Sequence, residues 1–489
     1  MSSTEFPFPR PNGMRGLVII WSGQIVSGIA SSITAVALPI WIFSMTGSGT
    51  AVGLLEFFFF SSYLLFALFA GVLIDRYPRK MMMLVYDFMS LSAMTILLVI
   101  QSTGRLNVYH LYIASVFQGI GFAFQSPSYS AAIAAMIPKK QFVRANGLMS
   151  LLNDAPEIFG PILAGGLYML VGLNGILAIN LLAFVLSIGM LLFVEVPSKT
   201  PRRYQKLSAK KFLIQTIYGI KYIVKRPGLL GLQLIFFMGN LFSGIALSTA
   251  ALYPMILLRT GNNTEAVGII QSVGALVAVF GGIFLTAWNG IKRPIHAILF
   301  GWIISSLLGL TFLGVGKIFL LWLIGISVNS IFDPVVNVSM DTFLQTKIPP
   351  KVQGRVFSAS DFFSQALIPF TPLLAGLFGD RIFEPAMRQG GALVDAFGWL
   401  VGTGPGAGFG LLILICAIGG ALIGLSGYLV KEIRNLGEEM PDYHALPPVG
   451  LVRRMKPVFA VDTDSASFAN GSLDDDAKSN SEEKQKDTP

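Results

Sequence analysis

The feature that most constrains this chain is a succession of twelve apolar runs of membrane-spanning length. They fall near residues 16–43, 52–73, 81–101, 108–135, 146–171 and 174–194. After a polar gap, six more fall near 229–258, 264–288, 295–315, 318–345, 356–379 and 405–430. A helix needs about 20 apolar residues to cross the hydrocarbon. In lipid the backbone must satisfy its own hydrogen bonds, so such runs are read as helices. Only 12% of the residues are charged, about half the usage of soluble chains. That excludes an ordinary soluble enzyme and a disordered protein. The first run lacks a small-residue cleavage site and is followed by further spans, so it reads as a retained helix rather than a signal peptide. The predicted fold class is all-α and polytopic, with 12 transmembrane helices in two pseudo-symmetric six-helix bundles.

Charge placement predicts orientation. With the N-terminus in the cytoplasm and the runs alternating, 30 of the 35 Lys and Arg residues fall in cytoplasmic segments. The other five, Arg105, Arg259, Lys317, Arg381 and Arg388, fall outside. A bias of this size supports cytoplasmic N- and C-termini and an even number of spans. The net charge of +9 is therefore attributed to the lipid-facing cytoplasmic surface. No concentrated basic reading face is present, so no nucleic-acid partner is expected. The domain reading is a first bundle over 1–194, a basic linker over 195–228, a second bundle over 229–430 and a tail over 431–489. In the linker, Phe212, Leu213, Ile217, Ile220, Ile223 and Val224 share a helical face opposite Lys210, Lys211, Lys221 and Lys225. That pattern predicts an amphipathic helix lying on the inner leaflet. From about 461 the tail is acidic and almost free of apolar residues, and is expected to be disordered.

Metal and cofactor chemistry find little support. Cys416 is the one cysteine, and His110, His296 and His444 are far apart in sequence. No disulfide, metal site or cofactor is expected. No GxSxG, HExxH or GxxxxGK[ST] pattern occurs in the right context, so neither an enzyme nor an ATP-driven pump is predicted.

An internal repeat supports two related halves. Ile137, Pro138, Pro161 and Leu163-Ala164-Gly165 recur 211 residues on as Ile348, Pro349, Pro372 and Leu374-Ala375-Gly376. Repeated halves with a binding site at their interface are a transporter design.

The motifs resemble those of the major facilitator superfamily. Gly71-Val-Leu-Ile-Asp75-Arg76-Tyr-Pro-Arg79-Lys80 resembles its loop 2–3 signature GxLxDRxxRK. Gly160-Pro161-Ile-Leu-Ala-Gly165-Gly166 resembles the fifth-helix motif of exporters. Segments 119–127, 137–148 and 337–358, with Gly23, Gln24 and Ser27, are similar to the drug:proton antiporter branch that holds macrolide and enterobactin exporters. The chain departs from many relatives in lacking an Arg in the middle of the fourth helix, where Gln118 and Ser115 stand. The resemblance implies a bacterial cytoplasmic-membrane exporter working as a monomer, fuelled by the proton gradient. It implies that Asp75 faces the start of the eleventh helix, and that Gly71 lets helices approach. Arg76, Arg79 and Lys80 are expected to pair with Asp87, closing a latch between halves. Gly160, Pro161, Gly165 and Gly166 are expected to thin and bend the fifth helix where it meets the eighth.

Acids within the runs are the sharpest functional signal, because each is expensive in hydrocarbon. They are Glu56, Asp154, Glu157, Asp333, Asp341 and Asp361. No Lys or Arg lies at a helix centre to pair with them, and a carboxyl so placed favours holding a proton. At 1.5 Å per residue, Glu157 lies about 16 Å into its run and Asp333 about 22 Å into its own. Glu157, Asp154, Asp333 and Asp361 are the proton-coupling candidates. Glu56 is read as reaching interfacial water. Gln24, Gln118, Gln125, Asn240, Asn337 and Gln365 are candidates for lining the substrate cavity. The expected partners are an amphiphilic small molecule, protons and membrane lipid. Lipid or lysophospholipid flipping on the same fold is the competing expectation, and a non-transport membrane anchor or sensor the remaining one.

Overall fold

A computed structural model of the chain describes residues 11–197, 218–287 and 293–440. The polar tail and linker residues 198–217 lie outside these residues. Of the expected amphipathic face, Ile223 is described: it is buried in the second-half core with Leu229 and Val356, so this part of the face packs on protein and not on the leaflet. Every regular element among the described residues is helical. Ten helices are long and apolar enough to cross a membrane. The chain is therefore a multi-pass membrane protein.

The first half runs α1 (Gly13–Thr46), α2 (Gly49–Arg76), α3 (Arg79–Ser102), α4 (Val108–Met136) and α5 (Phe142–Phe193). The last holds the fifth and sixth apolar runs. Its 52 residues are broken at Gly172, whose φ of 60° and ψ of −170° suit glycine alone. The second half runs α6 (Pro227–Leu247), α7 (Thr249–Thr260), α8 (Thr264–Ala287), α9 (Pro294–Ile304) and α10 (Thr311–Val315). It continues through α11 (Phe319–Lys347), α12 (Pro350–Gln365), α13 (Phe370–Phe378), α14 (Glu384–Met387), α15 (Val394–Val401) and α16 (Ala407–Leu429). A π turn at Ser305–Leu310 joins α9 to α10, and another at Gly379–Phe383 joins α13 to α14.

Turn chemistry sets the ends. Gly47 closes α1 with a left-handed φ of 63°, its N–H bonding the Phe43 carbonyl. Asn107 caps α4, accepting from the Tyr109 N–H at 3.4 Å, while its own N–H donates to His110 Nδ1 at 3.1 Å. His110 is thus a capping residue. Residues 380–406 fold onto the same end of the bundle. The Glu384 carboxylate there accepts from the Gly406 and Gly408 N–H groups at 2.7 and 3.0 Å. Buried negative charge at the first turn of α16 is matched to the positive helix end.

We call the end bearing residues 47–48, 261–263 and 380–406 the upper end. The apolar cores divide by height. One continuous core at the upper end joins both halves, from Ile33, Ala37 and Leu97 to Ile256, Val267 and Phe409. Toward the lower end the cores are separate. Leu17, Met83, Tyr129 and Leu191 pack within the first half, and Leu232, Leu299, Phe343 and Val356 within the second. The halves are fused at the top and have their own cores below.

Candidate functional site

Glycines set the contact between halves. Gly165 on α5 lies against the start of α8, where a Cβ would stand 2.9 Å from the Cα of Glu265. A Cβ on Gly268 of α8 would strike the Pro161 carbonyl. The α2–α13 contact repeats this arrangement: a Cβ on Gly53 would strike the Pro372 carbonyl, and one on Gly376 the Gly49 backbone. Gly160 faces α1 instead, against Ser32, and Gly166 meets open space. Hydrogen bonds reinforce the contact. Ser272 Oγ accepts from the Ile162 N–H at 2.9 Å, and Thr264 Oγ1 donates to the Gly165 carbonyl at 3.1 Å. Phe57 packs on Phe370, with ring centroids 5.7 Å apart.

Below this contact lies a central cavity of about 450 Å³. Glu56 and Glu157 reach it from the first half and Asp333 from the second. Asn240, Gln271, Asn329 and Asn337 add polar walls; Leu252, Tyr253, Trp302 and Phe332 add apolar ones. No Lys, Arg or His is among the described residues lining it. A second cavity of about 500 Å³ shares Asn240, Ser243, Leu247 and Asn337 with the first. It extends along α11 and α12 past Asp341, Asp361 and Gln365. The two cavities adjoin, and acids line both.

Proline sharpens the polarity near two of these acids. Pro161 has no N–H for the Glu157 carbonyl four residues back, and Pro334 none for the Ser330 carbonyl. Both Glu157 and Ser330 line the cavity. Its position along the apolar run puts Glu56 at interfacial water, yet its carboxylate accepts from Thr249 Oγ1 of the other half at 2.7 Å. Its sequence signal was an acid in an apolar run, the same signal that singled out Glu157. Asp154 sits half-buried one turn from Glu157 on α5.

Several candidates lie elsewhere. Gln24 is buried in the first bundle, where its Nε2 donates to Asp87 at 3.0 Å and to Ser187 Oγ at 2.9 Å. Its Oε1 accepts from Gln125 Nε2 at 3.1 Å, and Ser187 Oγ donates to Asp87 at 3.2 Å. Four helices, α1, α3, α4 and α5, are tied through one fully buried carboxylate. Gln118 is half-buried on α4. Asp87 was expected to pair with Arg76, Arg79 and Lys80, but its described bonds are these. It lies eight residues into α3, about 12 Å along the axis and away from the loop cations. Lys80 Nζ donates to the Leu192 and Val194 carbonyls at 2.9 and 2.7 Å, a cation on the C-terminal end of α5. The side chains of Gly71, Asp75 and Arg76 lie outside the described residues. Asp87→Ala should strand the buried donors of Gln24 and Ser187 and cost about 3 kcal/mol. A lowered melting temperature of the purified protein checks this; an unchanged one would show that the network contributes little.

Comparison with known proteins gives consistent results. The model of the Major Facilitator Superfamily matches residues 20–372. Macrolide efflux protein A of Streptococcus pyogenes is 28% identical over 366 residues, which is 74% of this chain and 89% of that protein. Macrolide efflux protein A of Enterococcus faecalis is 26% identical over 63% of this chain and 95% of its own length. The crystal structure of a POT family transporter in complex with 5-aminolevulinic acid has the same fold at a TM-score of 0.62. It is 12% identical, covering 85% of this chain and 96% of that one.

Proposed function

The chain belongs to the Major Facilitator Superfamily, and from that membership and the acid-lined cavity we propose a proton-driven exporter of amphiphilic small molecules. The observation that carries this reading is the set Glu56, Glu157 and Asp333, drawn from both halves, around one space with no lining cation among the described residues. Carboxyls so placed hold either a proton or a positively charged cargo, because an unpaired charge is costly there. Competition between the two links proton entry to cargo exit. The cavity volumes of about 450 and 500 Å³ suit a drug-sized ligand with apolar contacts and a few polar anchors. Amine-bearing amphiphiles, macrolide-like drugs among them, fit this lining. A lysophospholipid would bring its phosphate against the same acids.

Alternating access follows from the upper contact. The Lys and Arg bias supports placing the lower end in the cytoplasm of a bacterial cell, with both termini inside. The cavity then faces the cytoplasm in this conformation, ready for cargo, and the protein works as a monomer in lipid. The test uses a bacterial host stripped of its own efflux pumps. Wild-type protein should raise the inhibitory concentration of amine-bearing macrolides and cationic dyes severalfold and leave that of anionic siderophores unchanged. Protection against the anions alone would overturn the reading.

A further inference from the structure

We propose that Asp380 is the latch that holds the upper end of the transporter shut. The inference rests on the alternating-access reading and adds a residue and a contact to it. Asp380 sits half-buried in the π turn at Gly379–Phe383, just beyond α13 in the second half. Its partners belong to the first half. Oδ1 accepts from the Gly49 N–H at 2.9 Å; Oδ2 accepts from the Thr50 N–H at 2.7 Å, from Thr50 Oγ1 at 2.7 Å and from Ser48 Oγ at 2.6 Å.

The first four N–H groups of a helix lack partners inside it. In α2 that set is Gly49, Thr50, Ala51 and Val52. The last two are satisfied locally, Ala51 by Ser48 Oγ at 3.2 Å and Val52 by the Ser48 carbonyl at 3.4 Å. The first two are satisfied by a carboxylate from the opposite half. A negative charge at a positive helix end strengthens these bonds. The backbones are close enough to permit them because Gly376 has no side chain against Gly49 and Thr50. A π turn at this point is an irregularity of the sort that recurs at functional positions. It lies within the long span Val352–Met387 and turns the carboxylate onto α2. The four bonds cannot survive separation of α2 from α13, so opening the top exchanges them for water.

Asp380→Asn removes the charge and substitutes a donor for one acceptor. The open-to-closed ratio at the upper end should rise about tenfold, the change expected when one or two charge-assisted bonds are lost. Paired spin labels read this directly, on Met45→Cys and Gln389→Cys in a Cys416→Ala background, with the protein in lipid nanodiscs. The wild type should give one short distance, and Asp380→Asn a second, longer population. Thr50→Val, which leaves the backbone bonds in place, should give a smaller shift in the same direction. Unchanged distances in a properly folded Asp380→Asn protein would overturn the latch. The measurement needs no substrate. A shift without drug protection by the wild type would uphold the latch and count against the export reading.

Discussion

Glu157→Gln is expected to abolish protection of a pump-deficient host, returning growth inhibition to the level of cells without the protein. The expectation follows from position. Glu157 lines the central cavity on α5, the helix whose next turns, Pro161 to Gly165, press on α8 of the other half. On the proposed mechanism its charge state would be set in the cavity and passed to the contact between the halves. Glu56 is committed to Thr249, and Asp333 stands on the opposite wall, where Asn337 Nδ2 donates to its backbone carbonyl at 3.1 Å. Gln keeps the size of Glu but cannot ionise, and it places an amide donor where one carboxylate oxygen accepts. A loss of export at equal membrane level then reports the proton and not the packing. Asp333→Asn should weaken export in the same direction. Full protection by Glu157→Gln would move the coupling proton to Asp333 or Asp154.

The helices were legible because hydropathy and length carry nearly all the information a spanning segment needs. The repeat was legible too, and the structure gives it a physical meaning. Pro161 and Gly165 correspond to Pro372 and Gly376, and both pairs lie where one half meets the other. Periodicity along one helix does not reveal which helix it touches. Gln24 and Gln125 were read as cavity residues because a polar group in an apolar run signals interior. They face the interior of one bundle, with Asp87, and not the space between two. Glu56 was placed at the interface with water by counting residues from the end of its run. The halves close above it, so the same depth is inside the protein. Asp380 and its partners are separated by more than 300 residues, and no local pattern joins them. Ser48 Oγ caps the Ala51 N–H locally, but the acceptors for Gly49 and Thr50 come from the far half.

Gly376→Val is expected to eliminate transport while leaving the protein folded. A Cβ at Gly376 would overlap the backbone of Gly49 and Thr50, and backbone cannot move aside as a flexible side chain can. The first-half and second-half cores toward the lower end, around Leu17 and Tyr129 and around Leu232 and Phe343, contain neither residue. Each bundle can therefore keep its own packing while the upper contact is forced apart. Overpacking of a tight contact costs about 1–3 kcal/mol, and here it falls on the closed-top state alone. A bias of that size shifts the equilibrium between closed and open tops by about fivefold to about a hundredfold. An exporter held open at the top cannot reload from below, so cells should lose protection although the protein is present and monodisperse. Gly268→Val, set against the Pro161 carbonyl at the symmetric contact, should do the same. Gly166→Val is the control, because a Cβ there meets nothing, and it should transport normally. Wild-type protection by Gly376→Val would show that the top does not need this close approach. Aggregation of both interface variants, with Gly166→Val intact, would show that the upper core is needed for folding and not only for switching.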